Sequence, residues 1–187
     1  MSTIKNSLKT YVFIDFSNLI YGAKRTGGWK INYEKLYLYL KTRFFANKIF
    51  FYTGVESFNK NPYIGLEKLG YILKLKIIKK FNRSPITKQI ICPNCNSRYP
   101  YKFNRYPEIK ANCDVDLTFD AMRFILDYNC VILMSGDGDF YPLINYLMAK
   151  KKVIKVIGES TSTAIAIKQL MKGNFIDLVN LRNIIQQ

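Results

Sequence analysis

The chain has 187 residues, of which 49% are apolar and 15% aromatic, so it can bury the core of one globular domain. Its 29 Lys and Arg residues against 13 Asp and Glu residues give a net charge of +16, which favours a polyanionic partner such as nucleic acid. The absence of histidine excludes every mechanism that needs an imidazole, and four cysteines are too few for a disulfide framework.

Strands and helices are predicted to alternate along the chain. Apolar strands are predicted at residues 10–15, 48–55, 71–78, 130–134, 153–158 and 175–179. Amphipathic helices are predicted at residues 33–46, 62–70, 115–127, 140–148 and 163–172, with Asp114 as the N-cap of the third. Because several strands are apolar on both faces, the pattern predicts a three-layer α/β fold with a mostly parallel sheet. Residues 71–78 alternate apolar residues with lysine, which is typical of an edge strand.

Two segments are predicted to lack regular structure. Residues 16–18 are interpreted as a polar turn, followed by a loop that carries several basic residues. Residues 81–110 are rich in Pro, Asn, Cys, Tyr and Arg and show no sustained period, which predicts a loop or small insertion. We therefore expect one domain over residues 1–187, with a basic insertion at residues 81–110.

The acidic residues are unevenly distributed. Six of the 13 fall between residues 114 and 139, and Asp15 ends the first strand, whereas residues 60–110 hold twelve basic and two acidic residues. If strands 10–15 and 130–134 are neighbours, Asp15 and residues 135–139 meet at the carboxyl edge of the sheet, where α/β folds bind ligands. Carboxylates in a basic surface suit a metal-dependent enzyme that acts on nucleic acid. The alternative is that each Asp caps a helix or turn.

Three ordered segments form a motif set: TYVFIDFSNLIYG at 10–22, ANCDVDLTFDAM at 111–122 and VILMSGDGDFYPLI at 131–144. This set resembles that of the NYN domains, LabA-like members of the PIN-like nuclease superfamily. The resemblance implies a Rossmann-like sheet of order 3-2-1-4-5, a site for Mg²⁺ or Mn²⁺, and RNA as the substrate. Cys113 is one departure, because the family tends to have an aliphatic residue there.

The resemblance and the strand-end positions together give a set of candidate catalytic residues. One is an amide, Asn18, which would orient a water molecule, contact a phosphate or cap a helix. The carboxylates, which would also hold Mg²⁺ or Mn²⁺, are Asp15, Asp114, Asp120, Asp137 and Asp139. Asp139 could instead cap a helix. Residues six apart differ by about 240° on a helix, so Asp114 and Asp120 share a face only if Asp114 precedes the helix.

Candidate substrate contacts lie beside the first motif, at the third motif and in the insertion. They are Lys24, Arg25, Lys30, Trp29, Ser135, Arg98 and Arg105. The basic side chains would bind phosphates. Trp29 and Tyr21 would stack on unpaired bases, with packing in the core as the alternative for Trp29.

Cys92 and Cys95 have the spacing of half a zinc knuckle. A complete site needs two more ligands, for which Cys113 or a partner chain in a homodimer are the candidates. The alternative is a free-thiol turn in a basic, aromatic loop that contacts nucleic acid.

The function most favoured by these patterns is a metal-dependent nuclease, most simply a ribonuclease. The alternatives are an RNA-binding regulatory module without catalysis and a toprim-like enzyme, although that fold has Glu where this chain has Asp15. No apolar run is long enough to cross a membrane and the first residues lack an apolar signal segment, so a cytoplasmic protein without a membrane partner is expected.

Overall fold

The chain forms ten strands and seven α-helices within the residues that a computed structural model describes, 8–56 and 63–187. The strands are β1 (Thr10–Asp15), β2 (Ala46–Val55), β3 (Ile72–Ile77), β4 (Lys79–Phe81), β5 (Ile86–Ile91), β6 (Arg98–Phe103), β7 (Glu108–Lys110), β8 (Cys130–Met134), β9 (Val153–Gly158) and β10 (Phe175–Asp177). The helices are α1 (Phe16–Arg25), α2 (Tyr33–Phe44), α3 (Ile64–Leu69), α4 (Asp114–Arg123), α5 (Tyr141–Ala149), α6 (Ile165–Leu170) and α7 (Arg182–Ile185). Residue 62, where a helix was predicted to start, lies outside the described residues.

Six strands form one parallel sheet in the order β10-β9-β8-β1-β2-β3. Numbered along the chain within this sheet, the order is 3-2-1-4-5-6, so the predicted order 3-2-1-4-5 is present and a sixth strand extends it beside β9. The order reverses between β1 and β8, which pair directly. In α/β sheets this reversal point is where ligands bind. The prediction of β3 as an edge strand is confirmed.

Helices cover both faces of the sheet, which confirms the α/β class. On one face, Phe13 and Phe50 stack with ring centroids 5.1 Å apart, beneath α4 and α5. On the other face, Val12 and Ile14 pack against α1 and α2. Fully burying side chains of this size stabilises a fold by about 1.5–3 kcal/mol each. In the described part of the chain, no helix is both long and apolar enough to span a bilayer.

Helix α1 occupies the segment that was predicted as a turn and a loop, so that prediction is wrong. Asp15 is its N-cap, and Asp15 Oδ1 accepts a hydrogen bond of 3.2 Å from the Asn18 N–H. Such a cap stabilises a helix by about 1 kcal/mol. Leu19 and Ala23, four residues apart, are buried on the inner face. The polar residues after Asp15 therefore form the first turn of a helix.

The prediction of Asp114 as the N-cap of α4 is also wrong, and so is the alternative that Asp139 caps a helix. Cys113 holds the N-cap position of α4, so Asp114 is the first helical residue. The short 3-10 turn Gly138–Phe140 is capped by Asp137, whose Oδ1 accepts from the Asp139 N–H at 3.0 Å. The capping role considered for Asp139 therefore belongs to Asp137.

The segment from β4 to β7 forms two antiparallel ribbons outside the main sheet, rather than an irregular loop. Strand β4 pairs with β7, and β5 pairs with β6 in a hairpin. Most side chains of β5 and β6 are exposed. Tyr99, Tyr101 and Phe103 alternate along β6, but Pro100 within that run argues against a strand, so the hairpin was not predicted from the sequence.

Candidate active site

Asp15 and Ser135 meet at the carboxyl edge of the sheet, where β1 and β8 end side by side. The Ser135 hydroxyl donates to Asp15 Oδ2 at 3.1 Å and accepts from the Asp137 N–H at 3.2 Å. Ser135 is only 1% exposed, so water does not compete for these bonds. One side chain therefore holds the Asp15 carboxylate beside the backbone of Asp137.

Asn18 joins helix α1 to the same loop. Its Oδ1 accepts a hydrogen bond of 2.9 Å from the Gly136 N–H. The end of β8 is thus fixed both to the cap of α1, through Ser135, and to its first turn, through Asn18. This pair of contacts sets the position of Asp137 relative to Asp15.

Asp114, at the start of α4, brings a further carboxylate to this edge. Burial, followed by the negative charges of Asp15, Asp137 and Asp139, raises the pKa of Asp114 to about 6, and Lys76 opposes the rise. Burial also raises the pKa of Asp15, against the lowering effect of hydrogen bonds from Asn18 and Ser135, and the charge of Asp137 adds to the rise. We call Asp15, Asp114, Asp137 and Asp139 the acidic group.

The acidic group matches Mg²⁺ or Mn²⁺ in donor chemistry and in charge. Carboxylate oxygens are the ligands that these ions prefer, and a cation would relieve the repulsion that raises the pKa of Asp114. Across residues 8–56 and 63–187, no three Asp, Glu or Cys side chains form a ready metal cage. Mg²⁺ is usually held by one or two carboxylates together with water and substrate phosphates. The group therefore fits a cation whose coordination a phosphate completes.

Asp120 lies apart from the acidic group, in an ion-pair cluster of its own. Its Oδ2 is 2.9 Å from Lys74 Nζ and accepts a 2.9 Å bond from the Tyr52 hydroxyl, and its Oδ1 is 2.8 Å from Arg123 Nη2. Burial and the charge of Asp120 raise the pKa of Tyr52. The structure does not bring Asp120 to the predicted metal site, because six residues of helix turn it away from Asp114.

Clefts open on two sides of the acidic group. One of about 310 Å³ is lined by Asn18, Tyr21, Arg25, Gly136, Asp137, Gly138, Ser162 and Ala164. Another of about 410 Å³ includes Asp114 and Asp139. Tyr21 is 61% exposed, and Lys24 Nζ lies 5.7 Å from the centre of its ring. The ammonium group of Lys24 and the exposed ring of Tyr21 therefore lie at the rim of the cleft that contains Asp137.

Two of the candidate substrate contacts cannot reach a polynucleotide. Trp29 is 7% exposed, and its Nε1 donates to Thr26 Oγ1 at 2.9 Å, so it packs in the core and does not stack on bases. Ser135 is buried and acts through Asp15 and Asp137. Lys30 is exposed in the segment between α1 and α2.

The remaining candidates in the insertion lie on the outer ribbon. Arg98 begins β6 and Arg105 follows it, both exposed. The thiols of Cys92 and Cys95 lie at the turn of the hairpin and are free. Cys113 is 8% exposed and packs in the core cluster beneath the sheet. Its role as a third zinc ligand is therefore wrong, because a buried core side chain cannot join an exposed hairpin turn.

Two further residues at this edge, Glu159 and Thr163, were not predicted from the sequence. Glu159 organises the loop after β9, and Thr163 packs against the loop after β8. Buried Glu159 accepts hydrogen bonds from the backbone of Thr161 at 2.7 Å and of Ser162 at 2.9 Å. Burial disfavours its ionisation, but these bonds outweigh it and lower the pKa of Glu159. Thr163 packs so closely on Gly136 that a Cβ there would overlap its hydroxyl. The available signal was an acid at the end of an apolar strand, since Glu159 directly follows β9 and Asp15 ends β1.

Comparisons with known proteins agree with this architecture. A model of the NYN domain family matches residues 9–179. The chain is 28% identical over 182 residues to the Low amplitude and bright protein LabA of Synechococcus elongatus, covering 94% of this chain and 87% of LabA. Its fold is similar to the crystal structure of a Vibrio parahaemolyticus protein of unknown function, with a TM-score of 0.66 and 22% identity, covering 95% of this chain and 96% of the other. The chain belongs to the NYN domain family.

Proposed function

We propose that this chain is a divalent-metal-dependent ribonuclease that hydrolyses phosphodiester bonds at the acidic group. The NYN and PIN-like families are typically nucleases. The observation that carries the proposal is geometric: where the strand order reverses, Ser135 and Asn18 hold the Asp15 carboxylate beside the loop that carries Asp137 and Asp139. Burial, followed by the charges of Asp15, Asp137 and Asp139, also raises the pKa of Asp114 to about 6, which indicates that Asp114 lies near them. Asp120, which lies outside the acidic group, instead pairs with Lys74 and Arg123. Within the described residues, none of the acidic group forms an ion pair with Lys or Arg.

Each part of the site would contribute a separate function. The basic surface draws the polynucleotide toward the clefts, and Arg25 at the rim of one cleft binds a phosphate. Asn18, whose Oδ1 is held by Gly136, has its amide N–H₂ group left to donate to a phosphate oxygen. The acidic group would hold the cation, which supplies activation of the attacking water and neutralises charge on the leaving oxygen. Since the chain has no imidazole, a carboxylate is the protein base available to accept the proton of that water.

The rim of the cleft supports single-stranded RNA as the substrate. The exposed ring of Tyr21 can stack on an unpaired base, which is worth about 1–3 kcal/mol per base. Lys24, which lies over that ring, can contact the adjacent phosphate. A base that stacks at Tyr21 would place its backbone in the cleft that contains Asp137.

A second candidate function is RNA binding without cleavage. Two observations favour it: Asp120 is neutralised by cations, and the described residues form no cage of three metal donors. A binding module would use the same basic surface and the same rim. It would act by binding to RNA, without cleaving it.

Labelled single-stranded and duplex RNA and DNA, incubated with Mg²⁺, Mn²⁺ or EDTA, distinguish the two functions. The nuclease proposal expects cleavage of single-stranded RNA that requires the cation and is lost in Asp137→Asn. The matched control is Asp127→Asn, an exposed carboxylate outside the acidic group. Cleavage that persists in EDTA or in Asp137→Asn rejects the proposed site, and binding without cleavage under every condition supports the second candidate.

A further inference from the structure

The turn between β5 and β6 presents two thiols that the acidic group does not use. Cys95 is exposed, Cys92 is half-buried, and both are free. The Asn96 N–H donates to the Cys92 carbonyl at 3.0 Å, and the Cys92 N–H donates to the Ser97 carbonyl at 2.9 Å. These bonds fold residues 92–97 into a tight turn at the end of the hairpin. Two intervening residues are the spacing at which both thiolates reach one tetrahedral Zn²⁺.

One chain supplies only half of a closed zinc site. A structural Zn²⁺ takes four nitrogen or sulfur ligands, and this chain has no histidine and four cysteines. Cys113 is buried in the core, and Cys130 begins the central strand β8. In the part of the chain that the structure describes, no three Cys, Asp or Glu side chains form a ready metal cage, so no third protein ligand accompanies Cys92 and Cys95. The two missing ligands therefore have to come from another molecule.

The hairpin also leaves an apolar face uncovered. Residues paired across the ribbon lie on the same face, and side chains alternate between faces along each strand. One face accordingly carries Ile86, Lys88, Ile90, Tyr99, Tyr101 and Phe103. Tyr101 is 51% exposed, Tyr99 47% and Phe103 39%. A two-stranded ribbon without a cover is marginally stable in water, so a partner on this face would stabilise it.

We propose that two copies of this chain share one Zn²⁺, bound by Cys92 and Cys95 of each copy. A twofold arrangement supplies the same two thiolates twice and completes the tetrahedral set of four sulfurs. Each thiol releases its proton to solvent on binding, so the four thiolates and the ion carry a net charge of −2. Arg98, which directly follows the turn, offsets part of that charge. A twofold axis along the ribbons also sets the two aromatic faces against each other.

The inference goes beyond the nuclease proposal and stands independently of it, because none of the acidic group takes part. Its test is the mass of the full chain in solution with a reducing agent, after EDTA treatment and then with ZnCl₂. We expect the mass to double with zinc, one zinc to be bound per two chains, and EDTA to reverse the change. Co²⁺ in place of zinc should give the absorption spectrum of a tetrahedral ion with thiolate ligands.

Single variants make the test specific. Cys92→Ser and Cys95→Ser should stay monomeric with zinc, while Cys130→Ser, the matched control, should dimerise as the wild type does. Circular dichroism verifies that each variant is folded. A wild-type mass that does not change with zinc overturns the proposal, as does a zinc-dependent dimer of Cys92→Ser. Loss of RNA binding in Cys92→Ser, with wild type monomeric in zinc, would instead assign the hairpin to RNA contact and also overturn it.

Discussion

The hydroxyl of Ser135 donates a hydrogen bond of 3.1 Å to Asp15 Oδ2 and joins residues 120 positions apart in the chain. The bond lies at the point where the strand order of the sheet reverses. Because Ser135 also accepts from the Asp137 N–H, one buried side chain orients two members of the acidic group. Ser135 is therefore a positioning residue of the proposed active site.

Ser135→Ala should lower kcat more than it raises KM. Without the hydroxyl, the Asp15 carboxylate can rotate and the Asp137 N–H loses its partner. We expect a fall in kcat of about tenfold or more, equivalent to about 1.4 kcal/mol, and a loss of about 1–3 kcal/mol in the free energy of unfolding. Steady-state kinetics on a short labelled RNA, with denaturant unfolding in parallel, measures both. An unchanged kcat would show that Asp15 needs no such support.

Gly136→Ala and Gly138→Ala should differ sharply although they lie in one loop. A Cβ on Gly136 would overlap the Thr163 hydroxyl and lie 3.0 Å from Thr163 Cα, so backbone would have to move. A Cβ on Gly138 would lie 3.3 Å from Ala164 Cβ, which a small adjustment accommodates. We expect Gly136→Ala to lose cleavage and about 1–3 kcal/mol of stability, and Gly138→Ala to lose far less of both. Equal losses of cleavage and stability in the two variants would contradict the close packing of Thr163 against Gly136.

Asp114→Asn should stabilise the metal-free protein at pH 7 while abolishing cleavage. The pKa of Asp114 rises from 3.8 to about 6 on folding, first through burial and then through Asp15, Asp137 and Asp139. The folded state therefore binds more protons between these values, and stability falls as the pH rises from about 4 to about 6. With screening by solvent at this half-exposed site, the gain from Asp114→Asn at pH 7 is on the order of 1 kcal/mol.

Urea unfolding in EDTA at pH 7 and at pH 4.5 measures this effect. At the lower pH, Asp114 is mostly protonated in the folded wild type but still mostly ionised in the unfolded chain, whose pKa is 3.8. The difference between wild type and Asp114→Asn should therefore shrink to about a third of its value at pH 7, and it should vanish only below the unfolded pKa. An equal difference at both pH values would show that charge repulsion in the acidic group is not its cause. NMR titration of the carboxyl carbons gives the pKa of Asp114 directly.

Asp120→Asn should cost stability and leave cleavage intact. The substitution removes the charge that Lys74 and Arg123 surround, at a side chain only 6% exposed. We expect a loss of about 1–3 kcal/mol in the free energy of unfolding. Asp116→Asn is the matched control, since its pair with Lys76 is half-exposed and contributes about 0–1 kcal/mol. If a folded Asp120→Asn protein lost cleavage, Asp120 would belong to the active site, and this prediction would be contradicted.

Strand polarity made part of the candidate site predictable. Asp15 ends the apolar strand β1 and Asp137 lies in the loop after the apolar strand β8, and the carboxyl ends of neighbouring parallel strands lie at one edge of a sheet. The sequence also carried a signal for α1 that was overlooked. Leu19 and Ala23 have helical spacing after a capping Asp, although Ser17 and Asn18 favour a turn.

Other assignments depend on packing that no local pattern contains. Asp120 meets Lys74 only once α4 lies beside the edge strand β3, so its spacing from Asp137 could not reveal its partners. Trp29 resembles an exposed stacking residue in sequence because basic residues and glycines surround it, and only the tertiary fold buries it. The alternation of strands and helices predicted the fold class, and the resemblance to the NYN domains implied the sheet order. Which carboxylates belong to the site and which serve structure depended on three-dimensional contacts.

Arg25→Ala should weaken RNA binding and reduce its dependence on salt. Each phosphate contact to a single strand contributes about 0.7 to the slope of log K against log salt concentration. Removing one contact at the rim should reduce the slope by about that amount. Lys172→Ala is the control, because Lys172 lies between α6 and β10, at the amino edge of the sheet. If the salt dependence of RNA binding had the same slope in Arg25→Ala and in the wild type, Arg25 would contact no phosphate of the bound RNA, and this prediction would be contradicted.

Direct binding of Mn²⁺, measured by electron paramagnetic resonance of the free ion in the presence of a short RNA, tests the acidic group as a cation site. The account predicts binding by the wild type that is weakened by about tenfold or more in both Asp15→Asn and Asp137→Asn, and unchanged in Asp127→Asn. Equal Mn²⁺ binding by all four proteins would contradict it.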